Sequence, residues 1–243
     1  MVKIRRDKII MALRIRVLSL ALAAGLAFAG LTFAGASRAS NLFDPPDVPA
    51  TAPGDALAVL YSGDGGWGAL DKGVAKTLAA DGVPVIGVNS LRYFLAERSP
   101  QAAADHLAEQ LRRHQAMWGR QKIVLIGYSF GADALPAIVP KLPADLRAQI
   151  KSLVLVGAGP TGDLKFTPFS WLNKPTAHAY PVAPAVEALK GLPMTCIYGD
   201  KERDDICSSL PSATIRQVKL SGGHHFDGDY AALGQAVVRA AAL

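Results

Sequence analysis

The sequence predicts an α/β fold, a mostly parallel sheet with helices on both faces, on three observations. Short apolar runs alternate along the chain with stretches of helical period, the pattern of a parallel sheet wrapped by helices. One run, Ile123-Val124-Leu125-Ile126, leads into Gly127-Tyr128-Ser129-Phe130-Gly131 and then into a small-residue helical stretch, Ala132 to Ile138. An earlier run, Ala56 to Tyr61, ends in the glycine-rich turn Ser62-Gly63-Asp64-Gly65-Gly66-Trp67. A strand, a sharp turn with one serine at its apex and a following helix form the nucleophile elbow of an α/β-hydrolase fold. The two elbow glycines are expected because the backbone turns too tightly for side chains.

The beginning of the chain reads as an address. Lys3, Arg5, Arg6, Lys8, Arg14 and Arg16 stand against one acid, Asp7, and an apolar run follows from Val17 to Ala36. A basic segment, an apolar core and small residues at its end make a secretory signal over residues 1–40. An uncleaved N-terminal anchor facing the periplasm is the alternative, because the run is long enough to span a bilayer. Seven of the 26 Lys and Arg and one of the 20 acids lie in residues 1–38, which accounts for the whole formal charge of +6. The remainder is balanced, so the basic character belongs to the address and nucleic acid is not an expected partner. Residues 41–53, rich in Pro and Asp, read as a linker. Residues 54–243 form one domain, long enough for a real core.

Taken in order, Ala56–Tyr61 is the first strand, and its glycine-rich turn is where the second donor of an oxyanion hole is expected. The backbone N–H of Asp64 or Gly65 would serve there, beside that of Phe130, the residue after the serine. A phosphate-binding loop is the competing reading, but no Gly-Lys-Ser/Thr follows. A helix spans Leu70 to Ala80 and a strand Val83 to Val88. Ser99-Pro100 is an N-cap with Pro at the first helical position, opening a helix to about Trp118. His114 on that helix reads as a packed residue and His106 as solvated surface. Ile150 to Val156 is a further strand. Residues 157–192, with five prolines and Phe166, Phe169, Trp171 and Tyr180, read as a lid-like insertion or an irregular cap over the core. Met194 to Tyr198 and Thr214 to Leu220 are the last strands, and Asp229 caps a closing helix.

The chemistry is read from chain order, with the serine first, an acid next and histidine last. His224 follows the glycines after the final strand and is the expected base, with His225 as the alternative. The acid should come from the loop after the preceding strand, which offers Asp200, Glu202, Asp204 and Asp205. Asp205 and Glu202 are the leading candidates. The His pair has no third ligand in register, and neither a metal nor a cofactor is expected. Cys196 and Cys207 flank the acidic loop, and in an exported protein they are most simply a disulfide.

Several segments together resemble the bacterial virulence protein family VirJ/AcvB. They are YSGDGGWGALDKGVAKTLAADGVPVIGVNSLRYF, IGYSFGAD, the acidic loop with its two cysteines, and GGHHFDGDY. The resemblance covers the whole body and implies a periplasmic serine hydrolase acting on aminoacylated phosphatidylglycerol, chiefly the lysyl ester. The partner so implied is a membrane phospholipid headgroup. In plant-associated relatives the resemblance also implies a tie to virulence and to type IV secretion. Ser129 and the histidines of GGHHFDGDY fall on the family's motifs. Arg92 or Arg98 would hold a lipid phosphate through a two-pronged hydrogen bond, and Trp67 is grouped with them on the substrate side. Two rival functions remain, a non-catalytic chaperone or adaptor for secretion substrates and a general esterase or thioesterase.

Overall fold

The computed structural model describes residues 47–167 and 177–241. The expected signal or anchor over residues 1–40 lies outside the described residues. So do the first part of the expected linker and the stretch 168–176 of the expected insertion, with Phe169 and Trp171.

The elements follow the predicted alternation. Strand β1 (Ala56–Tyr61) is followed by helix α1 (Ala69–Ala80), strand β2 (Val85–Val88), the one-turn α2 (Ser90–Tyr93) and the long α3 (Pro100–Trp118). Then come β3 (Lys122–Tyr128), α4 (Phe130–Ile138), the one-turn α5 (Ala144–Arg147) and β4 (Ile150–Val156). The short pair β5 (Thr161–Gly162) and β6 (Tyr180–Pro181) precedes α6 (Val182–Glu187), β7 (Met194–Gly199), β8 (Arg216–Leu220) and α7 (Tyr230–Ala240). Six strands form one sheet in the order β2-β1-β3-β4-β7-β8, all parallel, while β5 and β6 pair antiparallel apart from it.

The central strands are apolar without a break because both faces are covered. Their two-residue period then divides one run between two cores. Leu57, Val59 and Leu125 pack on one face with Leu107 and Leu111 of α3 and Leu135 of α4. Ala58, Leu60 and Ile126 pack on the other with Val74 and Leu78 of α1 and Leu233 and Val237 of α7. The helix ends are set by short polar side chains. The Ser99 hydroxyl accepts from Ala102 N–H at 3.1 Å to open α3, which closes at left-handed Gly119. Asp229 accepts from Ala232 N–H at 2.9 Å to open α7.

Four local expectations are corrected. β2 begins at Val85 because Val83 N–H still turns back to Leu78 O at 2.9 Å and Pro84 has no N–H to give. β8 begins at Arg216 because Thr214 and Ile215 both donate back to Pro211 O. The described part of the expected linker is docked on the body. Val48 bridges Val85, Arg120 donates to Ala52 O at 2.9 Å, and Asp47 lies 2.9 Å from Nε2 of buried His114. His106 is half-buried and stacked on Tyr93, with ring centroids 4.9 Å apart. Among the described residues no helix is long and apolar enough to cross a membrane.

Asp71, near the start of α1, is 2% exposed. Its Oδ2 accepts from Gly68 N–H at 2.9 Å, but burial pushes its carboxyl up to about 6. A carboxyl raised on folding works against the fold once ionised, so stability falls as pH rises through that value. Asp71→Asn keeps an acceptor for Gly68 and removes the charge. We expect it to add about 1–3 kcal/mol at pH 8 and close to nothing at pH 4, read by urea unfolding at both pH values.

Candidate active site

Ser129 stands at φ 52° and ψ −117°, a left-handed region that a serine enters only when held there. Its N–H donates to Val156 O at 2.8 Å, and its carbonyl accepts from Asp133 N–H at 3.0 Å as α4 begins. The flanking glycines are required by contact. A Cβ on Gly127 would lie 2.4 Å from Gly131 O, and one on Gly131 would lie 2.4 Å from Tyr61 O at the end of β1. The elbow is therefore wedged between its own helix and the neighbouring strand.

The other two groups arrive from the ends of β7 and β8. His224 Nε2 is 2.8 Å from Ser129 Oγ, and its Nδ1 is 2.5 Å from Glu202 Oε1. The Glu202 side chain is only 9% exposed. The loops carrying these two residues are stitched together, since Asp200 accepts from Gly222 N–H at 2.9 Å and Lys201 N–H donates to Gly222 O at 2.8 Å. Of the two leading acids, Glu202 meets the imidazole. Asp205 instead accepts from Cys207 N–H at 2.8 Å and Ser208 N–H at 3.3 Å, so it shapes the turn. Cys196 and Cys207 are joined as a disulfide with their Cα atoms 5.4 Å apart, closing a ring around Glu202. With both thiols used in that bond, the Cys196, Asp205 and Cys207 cluster offers no thiolate ligands. His225 turns away from the serine, its Nδ1 2.9 Å from the Tyr128 hydroxyl.

One residue at this site escaped the sequence reading. Gly157, at the end of β4 with φ 60°, faces the imidazole, and a Cβ there would lie 3.0 Å from His224 Cε1. Its signal was a glycine directly after a buried strand. Asp133, the last residue of IGYSFGAD, lies one helical turn past the serine. Its Oδ1 accepts from Gly159 N–H at 2.7 Å, and burial pushes its carboxyl up to about 7.

The remaining expected residues surround the elbow to different degrees. Phe130 opens α4 directly after the serine and packs on Phe94, with ring centroids 5.2 Å apart. The turn after β1 abuts the nucleophile, since a Cβ on Gly63 would lie 3.4 Å from Ser129 Cβ, and Asp64 and Gly65 follow at its exposed tip. Trp67 is half-buried and packs against the α1 and α7 side of the sheet. Arg92 is half-buried on α2, which Asn89 caps through Arg92 N–H at 3.2 Å. Arg98 is largely taken up within the protein. Its Nε donates to Tyr93 O at 2.9 Å, and its guanidinium lies 4.1 Å from the Tyr93 ring centroid.

Chemically, the line Ser129–His224–Glu202 can move a proton from a hydroxyl to an imidazole whose far nitrogen is held by a carboxylate. The hydrogen bond to Glu202 holds the His224 imidazolium above its ordinary pKa against the opposing effect of burial, with Asp64 and Asp133 adding to it.

The model of the bacterial virulence protein family VirJ matches residues 55–242. No curated protein matches the chain. Among solved structures, Est1E from Butyrivibrio proteoclasticus with bound ferulic acid is 16% identical with a TM-score of 0.55, covering 79% of this chain and 91% of that one. The esterase domain of a Rhodothermus marinus protein is 14% identical with a TM-score of 0.55, covering 79% and 88%. The thioesterase domain from the curacin biosynthetic pathway is 18% identical with a TM-score of 0.51, covering 77% and 92%. At these identities the likeness is one of fold, and the fold is that of the α/β hydrolases.

Two expectations follow. Glu202→Gln should lower the titration point of His224, followed by NMR of its ring, while Asp205→Asn should leave it nearly in place. The wild-type pair accordingly stabilises the fold fully below the ordinary imidazole value of about 6.5 and progressively less as pH rises through the raised one. Replacing both cysteines by serine should lower unfolding stability by about 2–3 kcal/mol, the entropy of so short a ring, measured against the oxidised wild type in urea.

Proposed function

The chain belongs to the bacterial virulence protein family VirJ, and on that footing we propose a periplasmic serine esterase that cleaves the aminoacyl ester of aminoacylated phosphatidylglycerol. The observation that carries the reading is the hydrogen-bonded line from Ser129 through His224 to Glu202. His224 takes the proton of Ser129 as its Oγ attacks the ester carbonyl. The tetrahedral oxyanion is received by the N–H of Phe130 and an N–H of the Asp64–Gly65 tip. Collapse expels the lipid glycerol oxygen, which takes the proton from His224. Water, deprotonated by His224, then releases the amino acid from Ser129 and restores the hydroxyl.

The aminoacyl part of the reading has its own support. Glu202 lies against His224 and Asp64 stands at the exposed tip of the turn that abuts Ser129, and acidic groups so placed suit an acyl group carrying an ammonium. Leu95, 60% exposed beside Phe94, gives the loop next to Phe130 an apolar tip suited to a lipid surface. The disulfide supports residence in an oxidising compartment, in keeping with the signal read in residues 1–40. The lipid headgroup is thus the proposed partner, and any connection to type IV secretion rests on family resemblance alone.

The test is release of free lysine from vesicles containing lysyl-phosphatidylglycerol by the purified protein. We expect release by the wild type and a loss of about 1,000-fold or more in Ser129→Ala. A folded wild type that releases no lysine would sink the lipid-ester reading.

A further inference from the structure

The paired histidines of GGHHFDGDY leave one imidazole with no part in the reaction above, and its surroundings give it one. His224 sits in a loop with little regular support. Gly222 lies at φ 107°, and Phe226 and Asp227 both lie at φ 51°. Phe226 is buried and anchors the loop from below, and its N–H donates to Gly223 O at 2.9 Å. The carbonyl of His224 meets the side chain of Tyr128, whose hydroxyl donates to it at 3.2 Å. The same hydroxyl lies 2.9 Å from Nδ1 of His225.

A carbonyl oxygen can only accept, which orders the protons. The Tyr128 hydroxyl gives its hydrogen to His224 O, and its oxygen accepts from the Nδ1–H of His225. Both contacts are then satisfied at once. If the hydroxyl turned to donate to His225, the carbonyl of the base would lose its partner. The Tyr128 ring is 6% exposed, and burial keeps its phenol protonated far above the neutral range, so the donor persists. Tyr128 also directly precedes the nucleophile. One dipeptide therefore grips His224 twice, Ser129 at the ring and Tyr128 at the backbone.

We propose that Tyr128 and His225 are positioning residues for His224, a hydrogen-bonded pair that fixes the peptide of the base and keeps its Nε2 on the Ser129 hydroxyl. The inference rests on the serine-hydrolase reading. Neither residue touches the reacting atoms, and each acts through the placement of His224. The tilted stack of Tyr128 on His224, with ring centroids 5.2 Å apart, adds a second contact to the same imidazole.

The experiment is the rate at which a fluorophosphonate labels Ser129 in the purified protein, a readout independent of the natural substrate, together with kcat and KM on lysyl-phosphatidylglycerol vesicles. Tyr128→Phe and His225→Ala should each slow labelling about tenfold, the loss of one hydrogen bond's orientation. They should lower kcat with KM unchanged. His225→Asn, whose side-chain amide can donate from nearly the position of Nδ1, should restore labelling to near the wild-type rate. His225 is exposed, so its variants are expected to fold, which circular dichroism checks. Wild-type labelling rates in both Tyr128→Phe and His225→Ala, or a His225→Asn as slow as His225→Ala, would overturn the proposal. A folded wild type that does not label at all would bring down the hydrolase reading and this inference with it. Labelling without lysine release would spare the inference and remove only the lipid substrate.

Discussion

Ser129 holds a backbone conformation that costs about 1–3 kcal/mol, and the surrounding sheet is what makes that conformation persist. β3 is buried along nearly its whole length and cannot slide to relieve the turn. β4 takes the Ser129 N–H, α4 takes its carbonyl, and the end of β1 presses on Gly131. Hydrophobic burial on both faces thus does work at a distance, since it fixes the strands whose ends set the elbow. The other site residues inherit their positions from the same sheet, because β7 and β8 are held in register beside β4.

The parts of the molecule legible in the sequence are those governed by local patterns. Buried strands appear as apolar runs, helix starts as Ser99-Pro100 and Asp229, and the elbow as glycines around one serine. Placing His224 after the last strand needed only chain order. The choice between Glu202 and Asp205 was not local. Both follow β7 within a few residues, and what separates them is that Asp205 satisfies the N–H groups of Cys207 and Ser208 while Glu202 reaches across to the imidazole. The same blindness hid Gly157, whose neighbour His224 lies far away in sequence, and the turning of Arg98 onto Tyr93. Residues 47–53 read as a linker because proline and aspartate are common in linkers, whereas their docking on β2 and His114 is tertiary.

Charge at the site is concentrated unevenly. Glu202 alone meets the imidazole of His224, while Asp133 is buried on Gly159 N–H and burial raises its carboxyl. Glu202 is tied down by its imidazole partner and enclosed by the disulfide ring. Asp64 stands exposed at the tip of the turn after β1. One acid is thus fixed for orientation while another is left accessible to solvent and to whatever enters.

All six main strands run the same way, and every group discussed at the site lies at or just beyond the carboxyl end of one of them. The connections at the opposite edge, such as 81–84, 119–121 and 190–193, touch none of the reacting groups. Lengthening a segment at the carboxyl edge moves a nucleophile, an acid or a base, whereas the connections at the amino edge serve packing alone, with Val83 and Arg120 buried in them. The direction of the strands therefore partitions the chain into an edge where length is dictated by chemistry and an edge where it is dictated by packing.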